Sequence, residues 1–123
     1  MRLSLDFAGN ANIIRAYGEG WITVNDQAIR QSVIITPERL MTDWPPQHFE
    51  QLIEAHFQGI AELNPEIVLL GTGSRQHFPH PRLTRPLLSQ GVGIEVMATD
   101  AACRTYNIIM AEGRRVVAAL LMI

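Results

Sequence analysis

Four consecutive apolar residues, Ile67-Val68-Leu69-Leu70, run directly into the turn Gly71-Thr72-Gly73. A strand with one face in water alternates apolar and polar side chains, whereas a strand covered on both faces is apolar throughout. The run therefore predicts a buried strand near the centre of a sheet. Because 123 residues is the size of one domain, we predict a single α/β domain over residues 1–123, with 1–11 as a loosely held leader.

The segment before this strand divides into β structure and a helix. Asn12 to Thr36 is rich in β-branched residues with turn signals at Gly18-Glu19-Gly20 and Asn25-Asp26, which predicts an antiparallel meander. Asp43-Trp44-Pro45-Pro46 predicts a helix entry capped by Asp43, and Asn64-Pro65 predicts its end. Apolar residues between them recur every three or four positions and share one helical face: Phe49, Leu52, Ile53, Phe57, Ile60 and Leu63.

After Gly73 the pattern alternates between strands and helices. A loop to Pro81 comes first, followed by a short helix at Leu83, Leu87 and Leu88 with Pro86 in its first turn. We then predict a strand from Val92 to Ala98 and a helix that is capped by Thr99 and ended by Gly113. The last predicted element is a strand from Val116 to Ile123. Alternating strands and helices imply a sheet with helices packed on it.

Composition and charge exclude several classes of partner and chemistry. The net charge is −2, which argues against nucleic acid as an obligatory partner. All ten basic residues are arginine, so Schiff-base and lysine general-base chemistry are excluded. The apolar run Val116–Ile123 is far shorter than the ~18 residues of a membrane span, and we predict no signal or transit peptide. These features and the lone Cys103 predict a cytoplasmic protein without an integral membrane span.

The Gly71–Gly73 turn invites a dinucleotide-binding interpretation. That fingerprint needs a third glycine where Gln76 stands, and a helix opening at once. We favour a sharp turn at the sheet's edge. Ser74 lies outside any nucleophile-elbow motif, and His77 and His80 lack the further ligands a zinc site needs. No catalytic residue, metal site or cofactor is predicted.

Glu95 interrupts the strand Val92–Ala98, which leaves two interpretations open. If the strand is central, the carboxylate must be neutral or paired with Arg75, Arg104 or Arg114. Otherwise it faces solvent. If the strands ending at Leu70 and Ala98 are parallel neighbours, their ends form a crevice of the kind that binds ligands in open α/β sheets.

The segment from Glu95 to Leu120 resembles a small-domain family of bacterial and archaeal proteins of unknown function, whose mitochondrial members are the respiratory complex I (NADH dehydrogenase) assembly factor 3 proteins. Thr105-Tyr106-Asn107 followed by Glu112-Gly113-Arg114 is the most specific part. With Leu69-Leu70-Gly71-Thr72-Gly73, the resemblance extends over nearly the whole chain. It implies a three-layer α/β fold: a central mixed sheet with helices on one side, and a helix plus small antiparallel β structure on the other.

The resemblance implies no established enzymatic activity. It implies protein partners such as respiratory-complex assembly proteins, and peripheral membrane association in mitochondria. Our first hypothesis is a non-enzymatic interaction protein. The alternative is a small-molecule-binding protein or enzyme that uses the crevice, with a pocket formed by Gly71, Thr72, Gly73, Arg75, Glu95, Thr99, Tyr106 and Asn107. Oligomeric state stays open, because the sequence does not show which sheet edge is free.

Overall fold

The computed structural model describes residues 11–123, so most of the predicted 1–11 leader lies outside the described residues. This part of the chain forms eight strands: β1 Ile14–Gly18, β2 Trp21–Val24, β3 Gln27–Ile29, β4 Val33–Ile35, β5 Leu40–Met41, β6 Ile67–Thr72, β7 Gly93–Met97 and β8 Val116–Leu121. The α-helices are α1 Glu54–Ala61, α2 Arg85–Leu88 and α3 Thr99–Ala111, and 3-10 turns occupy Phe49–Gln51 and Pro81–Thr84.

The central sheet has the strand order β5-β4-β8-β6-β7. β6 lies parallel to both β8 and β7, and β4 lies antiparallel to β8, so the sheet is mixed. Val68 and Leu70 of β6 pack on one side of this sheet, whereas Leu69 packs on the other. The continuous apolar run is thus explained by burial on both faces.

Two apolar cores sandwich the central sheet and complete three layers. One core contains Phe57 and Ile60 of α1 and Leu87 of α2. The core on the opposite face contains α3 residues such as Tyr106, together with residues of the small antiparallel sheet β1-β2-β3. The three-layer α/β arrangement expected from the resemblance is confirmed.

The predicted helix after Asp43 is shorter than expected. Phe49–Gln51 forms a 3-10 turn, and the chain is extended at Leu52 and Ile53 before α1 begins. Ile53, placed by its spacing on the buried face, is 53% exposed. α1 begins only after Ile53, because the Ile53 N–H donates to His56 Nδ1 and this contact caps the new helix. Asp43 is not the cap that the sequence suggested.

Strand partners also differ from the sequence expectation at two places. The predicted meander ends with β3, because β4 leaves that small sheet and pairs with β8 instead. β7, which one of the two interpretations of Glu95 placed at the centre of the sheet, is an edge strand that pairs only with β6 among the described residues. β8 ends at Leu121 rather than Ile123.

Candidate functional site

A shallow, mostly polar crevice lies at the carboxyl ends of β6 and β8, where open α/β sheets commonly bind ligands. Its volume is about 200 Å³. Its walls come from the turn after β6, the 3-10 turn before α1 and the residues after β8: Gln47, His48, Phe49, Glu50, Thr72, Gly73, Ser74, His77, Leu121, Met122 and Ile123.

Thr99 lies beneath this crevice and holds two of its wall residues, Gly73 and Leu121, in place through hydrogen bonds. Its hydroxyl donates to the Leu121 carbonyl at 2.6 Å and accepts from Gly73 N–H at 2.8 Å. Its own N–H donates to the Gly73 carbonyl at 2.8 Å. Thr99 is fully buried, so one side chain ties the ends of β6 and β8 to the start of α3. The predicted capping role is wrong, because Ala98 is the N-cap and Thr99 is the first helical residue.

Glycine is needed at the two positions of the turn for different physical reasons. At Gly71, an added Cβ would lie 2.9 Å from Thr99 Oγ1 and from Leu120 Cδ2, so glycine lets α3 approach the sheet. Gly73 has a φ of +99°, a conformation that side chains disfavour. Thr72 Oγ1 donates to the Arg75 carbonyl at 2.6 Å and accepts from His77 N–H at 3.1 Å. The turn is held by its own polar groups, which accords with the interpretation as a sharp structural turn.

The remaining polar side chains of the crevice are not arranged as a nucleophile and base. Within residues 11–123, no hydrogen bond joins Ser74 to His77, whose ring instead lies 5.2 Å from the ring of Phe49. His80 Nδ1 accepts from Arg82 N–H at 3.1 Å. No group of three His, Cys, Asp or Glu side chains that could hold a metal ion occurs in this part of the chain.

Tyr106 and Asn107 lie away from the crevice. Tyr106 Oη donates to the Asn12 carbonyl at 2.7 Å. Asn107 accepts from Ile14 N–H at 3.0 Å and donates to the Ile14 carbonyl at 2.8 Å. Asn107 therefore does not line the predicted pocket with the Gly71–Gly73 turn. It connects α3 to β1 instead, and Tyr106 connects α3 to Asn12, which lies just before β1.

Glu95 is exposed on the edge strand β7. None of its three suggested partners pairs with it among the described residues. Arg104 pairs with Asp100 and contacts Tyr17, and Arg114 pairs with Glu66. Arg75 is exposed in the loop after the turn. The solvent-facing interpretation of Glu95 is therefore the one the structure has.

Of the predicted pocket residues, Thr72 and Gly73 line the crevice, and Gly71 and Thr99 lie directly behind them. The other predicted residues, Arg75, Glu95, Tyr106 and Asn107, do not line it. Sequence reasoning did not place His48 and Glu50 in the crevice. The spacing of the apolar residues placed both in one long amphipathic helix, and no turn residue marks the extended stretch at Leu52 and Ile53 that divides it.

A second, more apolar pocket of about 270 Å³ lies between α1 and β5, lined by Ile34, Met41, Asp43, Trp44, Pro45, Ala55, His56 and Gly59. Burial lowers the pKa of His56 below its ordinary value, because desolvation disfavours the imidazolium.

On the opposite side of the sheet, burial raises the pKa of the Cys103 thiol to about 12, which makes it inert at neutral pH.

No helix in residues 11–123 has the length and apolar character needed to cross a bilayer.

The chain is similar to several known sequences and solved structures. A crystal structure of a Bordetella parapertussis protein is 48% identical, with a TM-score of 0.85, and the match covers 90% of this chain and 95% of that one. The NADH dehydrogenase [ubiquinone] 1 alpha subcomplex assembly factor 3 of Bos taurus is 30% identical over 113 residues, which cover 90% of this chain and 61% of the relative.

A protein of Francisella tularensis named 13 kDa major membrane protein is 36% identical over 67 residues, 54% of either chain. The chain thus spans less than two thirds of the length of these two named relatives. The model of the family described as "Protein of unknown function (DUF498/DUF598)" matches residues 14–121. The resemblance inferred from the sequence is confirmed, and the chain belongs to this family.

Proposed function

We propose that this chain is a non-enzymatic interaction protein that holds a partner protein during the assembly of a larger complex. One observation carries the proposal: the 30% identity to a protein named as a complex I assembly factor, over 90% of this chain. Because the chain covers 61% of that relative, the part it shares is the domain described here. The partner is another protein, such as a respiratory-complex assembly protein.

Two structural features support an interaction role. The polar groups at the turn after β6 are engaged in holding the fold, through Thr72 and Thr99. Large apolar side chains are instead presented to solvent, with Phe78 71% and Ile108 63% exposed. Exposed apolar side chains contribute binding energy when a partner covers them.

Affinity capture of the tagged chain from its source cells tests the proposal. We expect one protein to be recovered reproducibly, in near-stoichiometric amount, and to co-elute with the chain in size-exclusion chromatography. Failure to recover any such protein, with and without a reversible cross-linker, would contradict the proposal.

The predicted cytoplasmic location is part of the same proposal and needs its own test. One relative is named as a membrane protein, which supports considering peripheral association. Fractionation of the source cells separates the two locations. We expect the chain in the soluble fraction, with any membrane-bound portion released by high salt, as peripheral proteins are.

A further inference from the structure

The central sheet has two edge strands among residues 11–123. It ends at β5 on one side and at β7 on the other. β5 has only two residues, whereas β7 has five, Gly93–Met97. An edge strand presents a row of backbone N–H and C=O groups that can pair with another extended chain.

The backbone groups that point outward from β7 can be assigned. Thr72 Oγ1 of β6 lies 3.3 Å from the Met97 carbonyl, so that carbonyl points toward β6. Successive residues of a strand point their backbone groups to opposite sides, so Ile94 and Val96 point outward. Consistent with this, the Val96 carbonyl accepts from the side-chain amide of Gln76 at 2.9 Å. Within residues 11–123, the N–H groups of Ile94 and Val96 and the Ile94 carbonyl form no hydrogen bond with any residue outside β6 and β7.

The side chains of β7 define what kind of strand fits. Ile94 and Val96 pack against the core under α1 and α2, whereas Met97 packs against the core under α3. Glu95 points to that second side and is exposed. A strand added to β7 would therefore place apolar residues beside Ile94 and Val96, and between them a residue directly opposite the Glu95 carboxylate.

A second copy of this chain fits the edge poorly. Two β7 strands can pair symmetrically only when they run antiparallel. The register that forms the most hydrogen bonds between outward-pointing backbone groups places Ile94 of one copy opposite Val96 of the other. That register places the two Glu95 side chains directly opposite each other, about 4.5 Å apart at Cα, where like charges repel. It also requires the Gln76 amide to leave the Val96 carbonyl in both copies.

We propose that β7 is the docking edge for an extended segment of the partner protein, with alternating apolar residues and an arginine or lysine opposite Glu95. This inference rests on the proposed interaction role. The partner segment adds a sixth strand, its backbone bonds to Ile94 and Val96, and its basic side chain pairs with Glu95. Charge thus selects a foreign strand over a second copy.

The test uses a capped synthetic peptide, acetyl-Ser-Thr-Val-Arg-Val-Thr-Ser-amide, titrated into the isotope-labelled chain and followed by NMR. We expect the Ile94 and Val96 amide signals to shift and their hydrogen exchange to slow. The same peptide with a central glutamate should bind about fivefold more weakly, which corresponds to ~1 kcal/mol for a cross-strand charge pair. In the Glu95→Arg variant this preference should invert, whereas the matched control Glu62→Arg, at an exposed position at the end of α1, should keep it.

Amide signals at Ile94 and Val96 that stay unchanged up to the solubility limit of the peptide, or a preference that survives Glu95→Arg, would overturn the inference. Capture from source cells separates it from the interaction role. Loss of the partner with Glu95→Arg but not with Glu62→Arg supports docking at β7. Equal recovery by both variants overturns docking at β7 and leaves the interaction role standing, whereas no recovery by the unaltered chain overturns the interaction role itself.

Discussion

At the start of α3, Thr99 holds three chain segments together through a single buried hydroxyl. Thr99→Val keeps the shape of the side chain but leaves the Gly73 N–H and the Leu121 carbonyl without this partner. Unsatisfied buried groups cost about 1–3 kcal/mol each, so we expect the free energy of unfolding to fall by about 2–4 kcal/mol. Urea denaturation measures this change. Thr105→Val, half-buried in the same helix, is the matched control and should change stability by less than about 1 kcal/mol.

Gly71 and Gly59 should respond in opposite ways to the same substitution. A Cβ at Gly71 would lie 2.9 Å from Thr99 Oγ1 and 3.1 Å from Thr99 Cα, whereas one at Gly59 meets nothing within 4 Å. Gly71→Ala should destabilise by about 1–3 kcal/mol through overpacking. Gly59→Ala, inside α1, should stabilise by about 0.5–1 kcal/mol. Thermal unfolding of both variants checks this, and a stable Gly71→Ala protein would show that α3 can retreat from the sheet.

His56 should make stability depend on pH just below neutrality. Its pKa is lowered by burial in the folded chain, so the unfolded chain binds the proton more readily. The stability contributed by the neutral imidazole is complete above pH 6.5, its ordinary pKa, and is lost as the pH falls from there toward the folded pKa. We expect the loss in melting temperature between pH 7.5 and pH 5.5 to be smaller in His56→Gln. The exposed-site control His80→Gln should keep the full loss.

Single residues were predictable only where local chemistry decides their role. Cys103 is buried beside Ala102, as a free cysteine usually is. Thr99 was expected to cap α3, but its actual partner Leu121 is 22 positions away, and no local pattern reveals such a contact. The exposure of Glu95 follows from the position of β7 at the sheet edge. The alternation of Ile94, Glu95 and Val96 was a signal for a half-covered strand.

At the scale of elements, Gln76 and Glu95 are expected to prevent β7 from pairing with a second copy of the chain. Gln76→Ala frees the Val96 carbonyl, and Glu95→Thr removes the facing like charges. We expect the double variant to dimerise about fivefold more tightly than the unaltered chain, since cross-strand like charges cost up to ~1 kcal/mol. Sedimentation equilibrium measures the dimer dissociation constant. An unchanged constant would mean that neither side chain guards the edge.

Elements themselves were predictable where one pattern dominates. β6 was read from its continuous apolar run, and the hairpin turns at Gly18–Gly20 and Asn25-Asp26 from their turn residues. The predicted helix before Asn64 was too long, because the Gln51 and His56 side chains accept hydrogen bonds from the N–H groups of Gln47 and Ile53 and so begin two separate short elements. Strand order is set by contacts between distant segments, so the departure of β4 from the meander could not be read locally.

At the scale of the whole molecule, three layers follow from the need to cover both faces of β6. The central strands β8 and β6 alternate their side chains between the two cores, and helices or the small sheet close each core. This sorting also explains why the predicted pocket is dispersed. Tyr106 and Asn107 face the small sheet and Glu95 lies at the edge, so of these predicted residues only Thr72 and Gly73, at the end of β6, line the crevice.

Hydrogen exchange of the chain with and without its captured partner tests the account most directly. We predict that the partner slows exchange at the amides of Ile94 and Val96 by at least about tenfold, because they become bonded to an added strand. The amide of Glu95, already directed toward β6, should change little. Protection that appears elsewhere while Ile94 and Val96 exchange as fast as in the free chain would contradict the account.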